Sequence, residues 1–200
     1  MSPTEAPNFA SRNIERSARN IHPGDWAIES QRPLATLLGS CVTVCFHDPH
    51  LRIGGMNHFM LPAGRSSSGN EHDELLRGDY AMEVLLNALL AKGARKERVI
   101  AKAFGGGNIV TAIRTPIGDR NVQFAREWLE REGMRLHACD FGGPWSRKIL
   151  FEPDTGVAWC KRILGNMQAA AEVARNEAEY ARRLLEQPQA STTGKRVELF

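Results

Sequence analysis

Two rhythms of apolar positions organise the chain. From Thr36 to Phe46 apolar and β-branched residues run almost unbroken, and the run stops at His47-Asp48-Pro49-His50. A second strand-like run, Arg52 to Pro62, follows at once. Two such runs around a short turn predict a β-hairpin. Val99–Phe104 and Leu136–Phe141 read as further short strands. Lys148–Phe151 and Val157–Arg162 flank the turn signal Glu152-Pro153-Asp154-Thr155-Gly156 and predict a second hairpin.

The other rhythm is helical. Met82, Leu85, Leu86 and Leu89 form one stripe over Asp79 to Lys92, with Asp79 as N-cap and Gly93 as the stop. A second helix is expected from about Asn121 to Glu132, with Phe124, Ala125, Trp128 and Leu129 inward. Residues 166–186 are mostly Ala, Glu and Arg. Their apolar face (Met167, Ala170, Ala174, Ala178, Leu185) is thin, so this helix is expected to pack weakly or project. Ala63–Gly78 reads as a polar loop, and Gly105-Gly106-Gly107-Asn108 as a tight turn. Strands and helices mix without βαβ alternation, which points to an α+β fold. Residues 1–20 read as a loose arm, 21–164 as the folded domain and 165–200 as a C-terminal helix and tail. The closing Val197-Glu198-Leu199-Phe200 carries bulky apolar residues expected to dock on the body or on a partner.

Composition narrows the function classes. With 200 residues, 42% of them hydrophobic and 24% charged, the chain is neither disordered, collagenous nor a coiled-coil rod. No run approaches the ~18 apolar residues of a membrane span, so membrane insertion is not expected. The first twenty residues hold no apolar run, and no secretory signal is expected there. The four cysteines, at 41, 45, 139 and 160, then read as reduced thiols in the cytoplasm. A formal charge of +3, with both signs interspersed, leaves no nucleic-acid footprint.

The chemistry-bearing segment is the first hairpin. With Asp48-Pro49-His50-Leu51 as its turn, His47 opposes Arg52, Cys45 opposes Gly54 and Cys41 falls opposite His58. Opposed residues share a face, with Cβ atoms about 4.5–5.5 Å apart. A protonated histidine there would lower the thiol pKa and generate the nucleophilic thiolate. Gly39-Ser40 is small and turn-competent, suited to presenting backbone N–H groups to a substrate oxyanion. Asn57 is a candidate substrate-amide hydrogen-bonder or a strand-edge residue. Cys45 reads as core packing. A zinc site on Cys41, Cys45, His47 and His58 is the alternative, at a spacing poor for a zinc knuckle.

Six segments carry a resemblance: TLLGSCVTVC at 36–45, GGMNHFMLP at 54–62, GDYAMEVLLNALLAKGA at 78–94, AKAFGGGN at 101–108, IGDRNV at 117–122 and FGGPWSRKILFEPDTGVAWCKRI at 141–163. In these the chain resembles the chemotaxis protein CheD family, the chemoreceptor glutamine deamidases. The resemblance implies conversion of glutamines on methyl-accepting chemotaxis receptor cytoplasmic helices to glutamates. It places the catalytic cysteine on Cys41, the histidine on His58 and a threonine on Thr36, without metal or organic cofactor. It implies two packed sheets flanked by helices, α/β/β/α, similar to a group of cysteine hydrolases that includes a bacterial toxin deamidase. In some lineages the family also binds a CheC-type phosphatase, so a regulatory binding module is the second function class.

Overall fold

The structure is a computed structural model describing residues 14–61, 71–108, 117–164, 175, 177–180 and 182. The expected docking of Val197–Phe200 lies outside these residues. Among the described residues, nine strands form two mixed sheets. They are β1 (Arg19–Asn20), β2 (Trp26–Glu29), β3 (Leu34–Leu38), β4 (Val42–Asp48), β5 (Ile53–Asn57), β6 (Ile100–Gly105), β7 (Leu136–Phe141), β8 (Ser146–Phe151) and β9 (Ala158–Ile163). One sheet has the order β1-β3-β8-β9, the other β2-β5-β4-β6-β7. The pairs β1–β3 and β6–β7 are parallel; the rest are antiparallel. The expected α+β architecture of two sheets flanked by helices is the one observed.

Two long helices, α1 (Glu71–Ala91) and α2 (Ile117–Arg131), cover one face of the five-stranded sheet. Strand β4 is buried at all seven positions. Val42, Val44 and Phe46 face the helices, while Cys45 joins Met56 and Phe104 against Leu34, Leu38, Ile149 and Phe151. A strand covered on both faces has no polar side, which is why this stretch reads as an almost unbroken apolar run. The helix-facing core is aromatic: Phe46 meets Trp128 at 6.3 Å between ring centroids, and Phe59 meets Phe124 edge-on at 5.7 Å.

The structure corrects several boundaries. The single run expected over Thr36–Phe46 is two strands in different sheets, and Gly39-Ser40-Cys41 is the link that crosses between them. The hairpin register is shifted by two residues. Asp48 pairs with Ile53, His47 with Gly54 and Cys45 with Met56, so the turn is Pro49–Arg52. Arg52 sits at φ 53°, a left-handed conformation uncommon for arginine, and its guanidinium forms a two-pronged ion pair with Asp154. Helix α1 starts at Glu71 instead of Asp79, with the buried Gly78 inside it, because a side chain there would collide with Phe124 and Leu61. Helix α2 starts at Ile117, not at Asn121. The arm expected to be loose is tied from residue 14 on: a helical turn at 14–17 holds Glu15 against Lys148 of β8, and β1 pairs with β3.

Candidate active site

The sheet-crossing link is shaped from behind. Gly107 N donates to Gly39 O at 2.7 Å, Asn121 Nδ2 to Ser40 O at 2.8 Å, and Gly106 N to Cys41 O at 2.8 Å. With all three carbonyls held on one side, the three N–H groups converge on the other. They meet one carboxylate. Gly39 N and Cys41 N donate to Glu177 Oε1 at 2.8 and 3.0 Å, and Ser40 N and Oγ donate to Oε2 at 2.9 and 2.7 Å. Successive N–H groups in such a turn form an anion-binding concavity. The turn expected at Gly105–Gly107 is therefore the backing of this concavity. Gly105 and Gly106 have φ 122° and 66°, and a Cβ on either would strike Cys41 O or Val122.

Cys41 and His58 both lie beside the Glu177 carboxylate, and both are buried. In the observed register His58 stands opposite Thr43, so Cys41 is its diagonal neighbour on the same face, not its direct partner. The hydroxyl of Thr36 lies 2.7 Å from Ile21 O and 2.8 Å from His58 Nδ1. A carbonyl only accepts, so the single hydroxyl proton goes to Ile21. Thr36 Oγ1 then accepts from Nδ1–H, which assigns the tautomer by the network. His58 Nε2 is left as a lone pair, and it is buried with no hydrogen-bond partner among the described residues. That is the nitrogen available to take a thiol proton.

The expected thiolate–imidazolium pair is not the resting arrangement. Burial, then the Glu177 carboxylate, push the Cys41 thiol well above its ordinary range. Burial pulls His58 down to about 4, against the opposing pull of Glu177. Thiol and imidazole are both neutral with Glu177 in place.

Asn57 is corrected as a substrate-positioning residue. It lies on the helix-facing side, where its Oδ1 accepts from Val44 N and its Nδ2 donates to Ala81 O, at 2.8 and 2.9 Å. Both ends of the amide are engaged in holding α1 to the sheet. The alternative zinc set does not assemble. His47 Nδ1 faces Pro153 O at 2.9 Å, and Cys45 packs in the core. Cys41, His58 and Glu177 do bring ligand atoms within 4.8 Å of one another. The carboxylate nevertheless accepts four hydrogen bonds, one for each of its ~4 lone-pair directions, so it fits an anion cradle and not a metal.

Two members of the site escaped the sequence pattern. Asn121 sits on the buried stripe of α2, where its Oδ1 also accepts from Leu61 N at 2.8 Å. A polar residue in line with Phe124, Ala125 and Trp128 was the available signal. Glu177 gave none, since a glutamate on an Ala/Glu/Arg helix reads as solvated. Its burial corrects the face expected for that helix: Glu177 is 7% exposed and Ala178 is exposed.

A buried thiol, an imidazole with one unengaged nitrogen and a cradle of N–H donors are the parts of a thiol acyl-transfer centre, the class to which cysteine hydrolases belong. By sequence, the chain belongs to the CheD family. The family model described as CheD chemotactic sensory transduction matches residues 60–162. A Dechloromonas aromatica protein named probable chemoreceptor glutamine deamidase CheD 2 is 57% identical over 95% of this chain and 96% of its own. A Burkholderia thailandensis protein of the same name is 43% identical over 96% of this chain and 97% of its own. A Shewanella oneidensis protein named probable chemoreceptor glutamine deamidase CheD 1 is 38% identical over 98% of this chain and 94% of its own. Among solved structures, the Bacillus licheniformis hypothetical protein YfiH aligns at a TM-score of 0.38 and 14% identity, over 60% of this chain and 49% of that one, too distant to bear on fold or function.

Proposed function

We propose that the protein is a protein-glutamine glutaminase that converts glutamine side chains of chemoreceptor cytoplasmic domains to glutamate, with Cys41 as nucleophile. The observation that carries this reading is the convergence of the Gly39, Ser40 and Cys41 N–H groups beside the Cys41 thiol and the free Nε2 of His58. His58 takes the thiol proton, and Cys41 Sγ bonds to the carboxamide carbon. The three N–H groups hold the oxyanion. His58 returns the proton to the departing ammonia, leaving a thioester. Water, deprotonated by His58, hydrolyses the thioester to glutamate and restores the thiol. Thr36 keeps the proton of His58 on Nδ1 throughout.

This chemistry uses side chains and backbone alone. A substrate on receptor cytoplasmic helices puts the protein in the cytoplasm, and among the described residues no helix is long and apolar enough to cross a membrane. A module that only regulates a CheC-type phosphatase would have no use for a thiol, an imidazole and three donors at one point. Mass spectrometry of receptor cytoplasmic fragments after incubation with the purified protein tests the reading. Amide-to-acid conversion at defined glutamines supports it, and unchanged glutamines refute it.

A further inference from the structure

The cradle is occupied in this structure by the chain's own helix. Glu177 is nearly buried, and its carboxylate takes up every N–H that the Gly39–Cys41 link presents. One turn further on, Tyr180 packs against the cluster between the sheets, its ring directly over the Cα of Gly24. Gly24 in turn donates to His58 O at 2.8 Å. Residues three apart share one face of a helix, so a single helical face brings an acid into the cradle and an aromatic ring onto the rim beside His58. Glutamate is also the product of the proposed reaction.

We propose that the groove bounded by the Gly39–Cys41 link, His58 and Gly24 is a helix-docking site, closed in the resting protein by the 177–180 segment, with Glu177 standing where the substrate glutamine enters. The inference rests on the deamidase reading and extends it in two ways. The enzyme is autoinhibited by a product-like side chain, and a substrate helix must displace that segment before reaction. On the receptor helix, the substrate glutamine is followed three residues later by a bulky side chain that fills the place of Tyr180.

Two variants of the full chain test this. Glu177→Ala removes the occupant, and circular dichroism melting verifies the fold. If the segment closes the groove about nine-tenths of the time, its release should raise the rate of Cys41 alkylation by iodoacetamide about tenfold. Tyr180→Ala, with Glu177 intact, should accelerate it in the same direction. Alkylation of Glu177→Ala at the unmodified rate overturns the inference.

Glu177→Gln places a potential substrate in the cradle. Cys41 Sγ would bond to its carboxamide carbon, ammonia would leave with the proton from His58, and water would release glutamate. The peptide carrying residue 177 should gain the mass of one amide-to-acid conversion, and the Cys41→Ala/Glu177→Gln double variant should not. Persistence of the introduced amide at position 177, in a protein that deamidates receptor fragments, overturns the inference while the deamidase reading stands. Faster alkylation in Glu177→Ala with no conversion of any glutamine, in receptor or in cis, refutes the deamidase reading and leaves the groove and its occupant in place.

Discussion

The two faces of the five-stranded sheet are built on opposite principles. The helix-covered face is a large apolar cluster, with Met82, Leu85, Leu89, Phe124 and Trp128 packed on Val42, Val44 and Phe46. The face between the sheets is smaller, and its rim carries Thr36, Cys41, His58 and Glu177, all buried. Burying polar groups is costly unless each finds a partner, so the second face is held by directional bonds where the first is held by area. Stability and chemistry are thereby separated across a single layer of backbone. Strand β4 shows the division residue by residue. Cys41, in the link just before it, is part of the donor cradle, while Cys45, four residues on, has a thiol pushed far up by burial and serves as packing.

The sharpest test of that division is the pair of thiols. Cys41→Ala should fold and lose deamidation by about a thousandfold or more, as removal of a nucleophile does. Cys45→Ala should cost about 1 kcal/mol of stability through a small cavity and keep most of its activity. Mass spectrometry of a receptor fragment reads the first, and urea unfolding the second. Equal activities would dissolve the distinction between the two positions.

The converse experiment lies on the other face. Trp128 is fully buried against Phe46. Trp128→Ala should cost about 3–5 kcal/mol in urea unfolding. Below the transition, where the protein is still folded, the Cys41 alkylation rate should stay within about twofold, since additivity holds for sites without shared partners. A large change in alkylation would mean that the two faces are coupled.

These faces were unequally legible in the sequence. The helix-covered face announced itself, because the spacing of Leu85, Leu86 and Leu89 and of Phe124 and Trp128 is what a buried helical stripe requires. The β8–β9 hairpin was equally plain from Glu152–Gly156. The site was legible as residue types, LGSC and the histidine of GGMNHFMLP, but not as geometry. Its register depends on Arg52 adopting a left-handed conformation, which Asp154, about a hundred residues away, helps to hold by ion pairing. Its sheet-crossing link looks locally like a continuing strand, since nothing in Thr36–Phe46 says that the hydrogen-bond partners change at Gly39. Glu177 was invisible because its burial is decided by three N–H groups far away in the chain, whereas local pattern reports only the helix that carries it.

The face between the sheets should also respond to acid where the apolar face cannot. His58 falls from its ordinary 6.5 to about 4 because burial disfavours its charged form; Glu177 and Asp25 pull it up, and His22 pushes it down. A histidine with a lowered folded pKa binds fewer protons folded than unfolded. Its contribution is therefore complete above pH 6.5 and is lost as the pH falls toward 4. The loss is on the order of 3 kcal/mol. Urea unfolding at about pH 7 and about pH 4.5 should show that drop in the wild-type protein and a flatter dependence in His58→Gln. Parallel pH dependences would remove His58 as the acid-sensitive group.

The smallest effect separates positioning from packing within the site. Thr36 Oγ1 joins Ile21 O to His58 Nδ1 and so fixes which ring nitrogen carries the proton. Thr36→Val is nearly isosteric but removes both bonds. Ile21 O, 3.4 Å from Nδ1, can hold the same tautomer only loosely. The expected cost is about 1–2 kcal/mol of stability from the lost hydrogen bonds, and about tenfold in kcat with KM little changed, because the ring reorients during proton transfer and not during binding. Thr36→Ser restores the hydroxyl and should recover most of the rate. A purely structural threonine would give the opposite pattern: Val would be harmless, while Ser, which lacks the methyl group, would be the weaker variant.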